Sequence, residues 1–255
     1  MRFASLGSGS KGNAWLVEGG TTRVLIDCGF GVREMAGRLA RVGLEPKDIS
    51  ALLITHEHSD HGRGAARFSA KHACPVWLTP GCRAMLEATG EPLALSREVD
   101  SHGVFSVGDL EFHPYPVPHD AREPVQFMVS DGARRWGLLT DAGHVTAHMV
   151  AMLDACDALA LECNHDVDRL RRGSYPAALK TRILGRYGHL DNSAAADLLG
   201  RLDRRRLQHV VAAHLSEENN SPELARGALA AVLDCEPEWV AVADQAEGLS
   251  WRSIV

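Results

Sequence analysis

Four potential metal ligands lie within six residues of the chain, directly after an apolar segment. The segment is 51–54, and the ligands are His56, His58, Asp60 and His61. An apolar run of this length predicts a buried strand, and alternate residues of the extended chain after it let His56 and His58 turn the same way. Asp60 and His61 would then reach a second ion beside the first. The spacing therefore favours a site for two metal ions.

Three more residues of ligand type also follow predicted strands. His119, Asp141 and His214 each come directly after an apolar, β-type segment. Strand ends that each present a ligand would converge on one edge of a sheet, and they predict a shared cleft with room for a water molecule, as in catalytic sites. The predicted ligands of one ion are His56, His58 and His119, those of the other are Asp60, His61 and His214, and Asp141 bridges the two.

The elements that must hold these residues alternate between short apolar runs and segments with helical periodicity. The predicted strands are 2–6, 13–17, 23–26, 51–54, 75–78, 104–107, 110–117, 125–129, 136–139, 158–161, 210–213 and 239–242, and the predicted helices are 32–42, 64–72, 81–88 and 194–202. This order predicts an α/β fold in which two β-sheets pack face to face with helices on both outer faces. We expect one domain over residues 1–255.

Composition limits the classes of function. The formal net charge of −6 excludes a protein held on nucleic acid by bulk charge, so contact with a polyanion would need a local basic patch. Six cysteines without a Cys-x-x-Cys pair predict a reduced chain with neither disulfides nor a zinc knuckle. The first residues lack a long apolar segment, and no uncharged stretch is long enough to span a bilayer. We therefore expect a cytoplasmic protein without a membrane partner.

The histidine-rich segment 55–61, with Asp141 and His214 downstream, resembles the metallo-β-lactamase superfamily over essentially the whole chain. Four further motifs are similar to the YycJ/WalJ exonuclease branch of that superfamily. They are Ser5–Asn13, Glu162–Asp166, Gly188–Asn192 and Ala213–Ser216. The resemblance implies an αβ/βα sandwich of two mixed β-sheets flanked by helices. It also implies a nuclease that digests duplex DNA from the 5′ towards the 3′ end.

Departures from neighbouring families sharpen this resemblance. Asp60 stands where many true β-lactamases have a cysteine, and His58 replaces a glutamate of the flavo-di-iron oxidoreductases. The roughly seventy residues between Asp141 and His214 are too few for the extra domain of the β-CASP nucleases. Three-histidine sites suit zinc, and the mixed oxygen and nitrogen set also accepts manganese or iron, so the expected cofactors are two divalent ions of one of these metals.

The predicted mechanism is hydrolysis of a phosphodiester. Two ions would bind the scissile phosphate and activate the water that they share for attack on phosphorus. Asp141 is expected to position that water, Asp60 to act as a ligand and orienter, and either His189 or a metal-bound water to supply the leaving-group proton. The same site would also suit a small-molecule hydrolase acting on a cyclic phosphodiester, a thioester or a lactone. A noncatalytic metal-dependent binding protein is the third alternative.

A loop of small residues, Ser8–Asn13, contributes candidates for substrate binding. Its backbone amides, together with Ser10, Lys11 and Asn13, are candidate contacts to a phosphate, although the loop lacks Walker spacing and no helix follows it. A flexible hairpin, with Asn13 capping a turn, is the equally favoured alternative.

Two histidines near other predicted strand or helix ends are further candidates. Asn164 and His165 follow the strand 158–161 and are candidate substrate contacts. His165 would either contact the substrate or support a metal ligand, or lie at a helix N-terminus. His189 would contact a phosphate or the leaving group, or lie solvated in a loop before the helix 194–202. Glu162 is predicted to be structural.

A basic cluster lies between these two histidines in the sequence. Its members are Arg169, Arg171, Arg172, Lys180, Arg182 and Arg186. It is a candidate patch for a DNA backbone, and a solvated helical face is the alternative. A second basic run at 201–206 is predicted to be a solvated helix end. Aromatic residues are sparse in this region, which predicts little stacking of single strands.

Overall fold

In the computed structural model, which describes residues 1–90 and 92–255, the chain forms two seven-stranded β-sheets. The strands are β1 (Arg2–Gly7), β2 (Ala14–Gly19), β3 (Thr22–Ile26), β4 (Ala51–Leu53), β5 (Val76–Leu78), β6 (Ser96–Glu98), β7 (Phe105–Val107), β8 (Leu110–Pro116), β9 (Val125–Ser130), β10 (Arg135–Leu139), β11 (Ala158–Glu162), β12 (His209–Ala213), β13 (Ala241–Val242) and β14 (Leu249–Ser253). Their order is β14-β1-β2-β3-β4-β5-β6 in the first sheet and β13-β12-β11-β10-β9-β8-β7 in the second.

Each sheet combines antiparallel and parallel pairs. In the first sheet, β14, β1, β2 and β3 pair antiparallel, and β3 to β6 pair parallel. In the second sheet, β7 to β10 pair antiparallel and β10 to β13 pair parallel. Both sheets are therefore mixed, as the resemblance implied.

Helices join the parallel strands and cover the outer faces. They are α1 (Val32–Arg41), α2 (Ser59–Gly62), α3 (Ala65–His72), α4 (Pro80–Thr89), α5 (Ala147–Leu153), α6 (Val167–Arg172), α7 (Ala177–Ile183), α8 (Asn192–Arg201) and α9 (Pro222–Leu233), with 3₁₀ turns at Pro46–Asp48 and Pro237–Trp239. Apolar residues of α1 and α3 pack against the first sheet, and those of α5, α8 and α9 pack against the second. The predicted α/β sandwich is confirmed.

The two sheets meet across an aromatic core. Phe3 stacks on Trp136 with ring centroids 5.1 Å apart, and Trp15 packs against the same indole at 5.9 Å. All three side chains are buried. Burial of a side chain of this size contributes about 1.5–3 kcal/mol. The sheets are thus held together beneath the edge at which the parallel strands end.

Some predicted elements differ from the structure. The strand predicted at 239–242 is wrong in its first half, because Pro237 starts a 3₁₀ turn and β13 covers Ala241–Val242 alone. The strands β6 and β14 and the helices α2, α5, α6, α7 and α9 are not among the predicted elements. All six cysteines carry free thiols. Within the described part of the chain, no helix combines the length and the apolar character needed to cross a bilayer.

Candidate metal centre and cleft

Three histidines from two separate loops form the first candidate ligand group. His56 and His58 follow β4, and His119 follows β8. The Nδ1 atom of His58 lies 3.0 Å from Nε2 of His56 and 3.2 Å from Nε2 of His119. Two nitrogens bound to one zinc ion at about 2.0–2.1 Å lie roughly 3.3 Å apart in a tetrahedron. The spacing of the three nitrogens therefore matches a shared metal ion.

The second candidate group combines a carboxylate with two histidines. Asp60 Oδ2 lies 3.5 Å from Nε2 of His61 and 3.5 Å from Nε2 of His214. His61 and His214 are buried, whereas Asp60 is partly exposed at the rim. The short helix α2 places Asp60 and His61 side by side, and the end of β12 brings His214 to them.

Asp141 lies between the two groups. Its Oδ2 atom is 3.0 Å from Nε2 of His61, and its Oδ1 atom is 3.8 Å from Nε2 of His119 and 3.5 Å from Nδ1 of His214. The seven residues predicted as ligands are thus brought together, with Asp141 in the position expected of a bridge.

Two buried polar atoms at the centre are unsatisfied by protein. Oδ2 of Asp141 and Nε2 of His214 make no hydrogen bond within the described chain, although His61 Nε2 lies near the former. A buried polar atom without a partner is costly, and a cation would satisfy both of these atoms. The imidazole and carboxylate donors are those that zinc, manganese and iron accept. The site therefore fits a divalent metal centre.

The electrostatics of the centre favour bound cations. Burial lowers the pKa of His56 well below its usual value, which keeps the imidazole neutral, the form that binds a metal. Burial would also lower the pKa of His61, but the carboxylates of Asp141, Asp27 and Asp60 outweigh it and raise that pKa well above the usual value. Such a concentration of negative charge attracts any cation, whether a proton or a metal ion.

Asp27 supports the centre and was not predicted from the sequence. Its buried carboxylate accepts hydrogen bonds from the main-chain N–H of Thr55 at 2.9 Å and from Nδ1 of His61 at 2.7 Å. The bond from Nδ1 leaves Nε2 of His61 as the ring nitrogen that faces Asp60 and Asp141. Asp27 directly follows β3, so the same rule of a strand followed by a ligand-type residue would have found it.

Glu162, which the sequence predicts to be structural, contacts two histidines of the site. Its Oε1 atom accepts a hydrogen bond from Nδ1 of His189 at 2.8 Å and lies 3.2 Å from Nδ1 of His214. Its Oε2 atom accepts from the main-chain N–H groups of Ala142 and Leu190. Burial would raise the pKa of Glu162, but His189 and His214 more than offset it and lower the pKa to about 2. The carboxylate therefore stays charged and orients both rings.

The glycine-containing loop before β2 packs beneath the second ligand group. Asn13 is buried, and its Nδ2 atom lies 3.1 Å from Nε2 of His61. Its Oδ1 atom accepts a hydrogen bond from the main-chain N–H of Gly9, so Asn13 also caps a turn, as in the hairpin alternative. Ser10 lines the cleft. Lys11 points elsewhere, because its Nζ atom pairs with Glu217 at 2.5 Å on the surface.

A cleft of about 390 Å³ opens over the ligand groups. The predicted site residues that line it are Ser10, His58, Asp60, Asp141, Asn164, His189 and His214. His165 instead lines a separate cavity of about 250 Å³ behind His189, where its buried Nε2 atom has no hydrogen-bond partner among the described residues. His189 lines both cavities.

Arg182 is the member of the predicted basic cluster that lines the cleft within the described part of the chain. Its Nε atom lies 2.5 Å from Oδ2 of Asp120, whose Oδ1 atom is 3.5 Å from Nε2 of His119. Asp120 was not singled out in the sequence. Lys180 instead donates to the carbonyl oxygens of Arg171 and Gly173 at the end of α6. Most of the cluster therefore lies on the outer surface of α6 and α7 rather than in the cleft.

Several known proteins are similar to this chain in sequence or in fold. The family model described as a beta-lactamase superfamily domain matches residues 22–214. The chain is 34% identical to the exodeoxyribonuclease YycJ of Bacillus anthracis over 236 residues. The aligned region covers 92% of this chain and 89% of that protein. It is 33% identical over 229 residues to the exodeoxyribonuclease WalJ of Streptococcus pneumoniae, with 88% and 85% covered. The fold is similar to that of the metallo-beta-lactamase fold protein YhfI from Bacillus subtilis, with a TM-score of 0.75, 13% identity and 99% of each chain covered.

Proposed function

Because the chain belongs to the β-lactamase superfamily, we propose that it is a dinuclear-metal-dependent phosphodiesterase, and specifically a 5′ to 3′ DNA exonuclease. The observation that carries this proposal is the pair of ligand groups joined through Asp141 at one rim of the sandwich. Two relatives that match almost the whole chain at about one-third identity are named exodeoxyribonucleases. Their names support DNA as the substrate. We further propose that residues 1–255 act as one hydrolase domain.

The proposed ligands follow from the distances. His56, His58 and His119 would hold one ion, Asp60, His61 and His214 the other, and Asp141 would contact both. Zinc or manganese is the proposed metal, and iron fits the same donors. Bound there, the ions would supply positive charge to the phosphate and a water nucleophile that is active near neutral pH.

The remaining chemistry falls to side chains of the cleft. Asp141, buried between the groups, orients the nucleophile through its fixed carboxylate. His189 bonds Glu162 through Nδ1, so Nε2 is the nitrogen left to donate a hydrogen bond to the phosphate or a proton to the leaving oxygen. Arg182, at the cleft wall, is the proposed contact to a neighbouring phosphate of the strand.

The proposal is tested with duplex DNA labelled at either the 5′ or the 3′ end, in zinc or manganese and with chelator. We expect metal-dependent release of the 5′ label as mononucleotide before the 3′ label is lost. His119→Ala should abolish release because it removes one ligand of the first group. The matched control is His113→Ala, which removes a histidine from β8 that pairs with Glu111 away from the cleft. Turnover of a thioester without any DNA digestion would contradict the proposal.

A further inference from the structure

One wall of the cleft is apolar, although the opposite wall is built from metal-ligand side chains. Tyr175, Leu179 and Ile183 line the cleft together with Arg182. Leu179 and Ile183 are four residues apart on α7, which puts them on one side of the helix, and Tyr175 precedes the helix and lines the same cleft. This Tyr175 wall, made of Tyr175, Leu179 and Ile183, was not predicted, because the sequence around it is dominated by basic residues.

We propose that the Tyr175 wall binds an unpaired nucleobase, with the ring of Tyr175 stacked on the base of the nucleotide that is being removed. The inference rests on the proposed phosphodiesterase function and adds the form of substrate that the cleft accepts. A polar rim that binds the phosphate and an apolar wall that binds the base are the two surfaces that one nucleotide needs.

The size of the cleft supports a single nucleotide. Its volume of about 390 Å³ is near the lower end of the range of roughly 300–1,000 Å³ found for small-molecule sites. A duplex, whose major groove alone is about 12 Å wide, is far larger than such a space. We therefore expect the terminal nucleotide of a duplex to separate from its partner before its phosphate reaches the rim.

Tyr175 is free to contact a ligand. Its side chain is partly exposed, and within the described chain its ring contacts no other aromatic ring and its hydroxyl makes no hydrogen bond. The segment around it is nevertheless held in place. Lys180 ties α7 to the end of α6, and Arg182 ties α7 to Asp120 beside His119. A fixed wall with an unused aromatic face is suited to stacking, which tolerates every base.

Two small phosphodiesters test the inference. Thymidine 3′-(p-nitrophenyl phosphate) and methyl p-nitrophenyl phosphate share the leaving group, and the first alone carries a base, attached through the 3′-oxygen as in the nucleotide that a 5′ to 3′ exonuclease removes. Alanine replacement of a stacking ring costs about 5- to 150-fold in binding. We expect Tyr175→Ala to lower the ratio of kcat/KM for the thymidine ester over the methyl ester by that factor. Tyr175→Phe should restore the wild-type ratio, since the phenyl ring keeps the stacking face.

The matched control is Tyr187→Ala, because Tyr187 is 62% exposed and lies outside the cleft lining. That variant should keep the wild-type ratio and the wild-type rates. If the wild type hydrolyses both esters and Tyr175→Ala leaves their ratio unchanged, base stacking is overturned and the phosphodiesterase proposal stands. If the metal-loaded wild type hydrolyses neither ester, the proposed function itself fails, and the base-binding inference fails with it.

Discussion

We predict that replacing one carboxylate oxygen of Asp27 by an NH₂ group, as in Asp27→Asn, weakens metal binding. Oδ1 of Asp27 accepts from the main-chain N–H of Thr55, and Oδ2 accepts from Nδ1 of His61. In Asp27→Asn the amide oxygen must stay opposite Thr55, because a main-chain N–H can only donate. The new NH₂ group would then face Nδ1 of His61 and require it to accept. The ring proton would move to Nε2, the atom that faces Asp60 and Asp141.

The size of the effect follows from the bond that is lost. A hydrogen bond to a charged group contributes about 1.5–3 kcal/mol, and each 1.4 kcal/mol is about tenfold in affinity. Replacement of a residue that orients a metal ligand costs about 10- to 100-fold in metal affinity or activity. Both routes lead to the same range, so we expect Asp27→Asn to bind zinc about 10- to 100-fold more weakly than the wild type.

The assay is titration of metal-free protein with zinc against a chromophoric chelator, with thermal unfolding in EDTA to follow the fold itself. The matched control is Asp109→Asn, because Asp109 accepts hydrogen bonds from Thr21 and Thr22 in a surface turn far from the cleft. That variant should bind zinc as the wild type does. The reasoning is refuted if Asp27→Asn binds zinc as tightly as the wild type, or if both variants lose affinity equally.

Four other perturbations have definite expected results. Replacing Asp60 and His61 together by alanine should leave a folded protein without turnover, seen as a native circular dichroism spectrum with no DNA digestion. Removal of metal with EDTA should lower Tm by about 5–10 °C, since an ion at a hundred times its Kd stabilises by about 2.7 kcal/mol and a chain of this size shifts about 2–4 °C per kcal/mol. Gly29→Ala should destabilise by about 3 kcal/mol or more, because its Cβ would overlap the carbonyl oxygen of Asp60. Gly37→Ala, exposed in α1 with open space around it, should instead stabilise by about 0.5–1 kcal/mol in denaturant unfolding.

The sequence contained enough information to predict the sandwich and the gathering of the seven candidate ligands. Apolar runs that end in histidine or aspartate are local signals, and the ends of parallel strands meet at one edge whatever the detailed topology. The supporting contacts are different in kind. Asp120, next to His119 in the chain, pairs with Arg182 across 62 residues of sequence, and no periodicity or spacing encodes such a pair. The direction of Lys11 towards Glu217 was equally beyond local patterns.

Three of the elements that escaped prediction, β6, β14 and α7, carry little apolar surface. β6 and β14 carry charged or polar residues at most positions, since each lies at an edge of the first sheet. Edge strands need less apolar surface than central ones, so their alternation is weak. The helix α7 has no buried residue, and its contacts run to the cleft and to the end of α6. A helix positioned by polar contacts leaves little amphipathic signal, and for this reason the Tyr175 wall emerged from the structure alone.

The rule of a strand followed by a ligand works here because it combines chemistry with backbone geometry. Asp27, Asp141 and His214 each follow a strand and adopt left-handed φ values of 65°, 55° and 54°. The other non-glycine residues with positive φ in the described chain follow helices, where such a conformation is common. Aspartate and histidine tolerate this region better than most residues, at a cost of order 1 kcal/mol. A left-handed residue turns the chain abruptly at the strand end, so the residue types that bind metals are also among those that allow the sheet to present them.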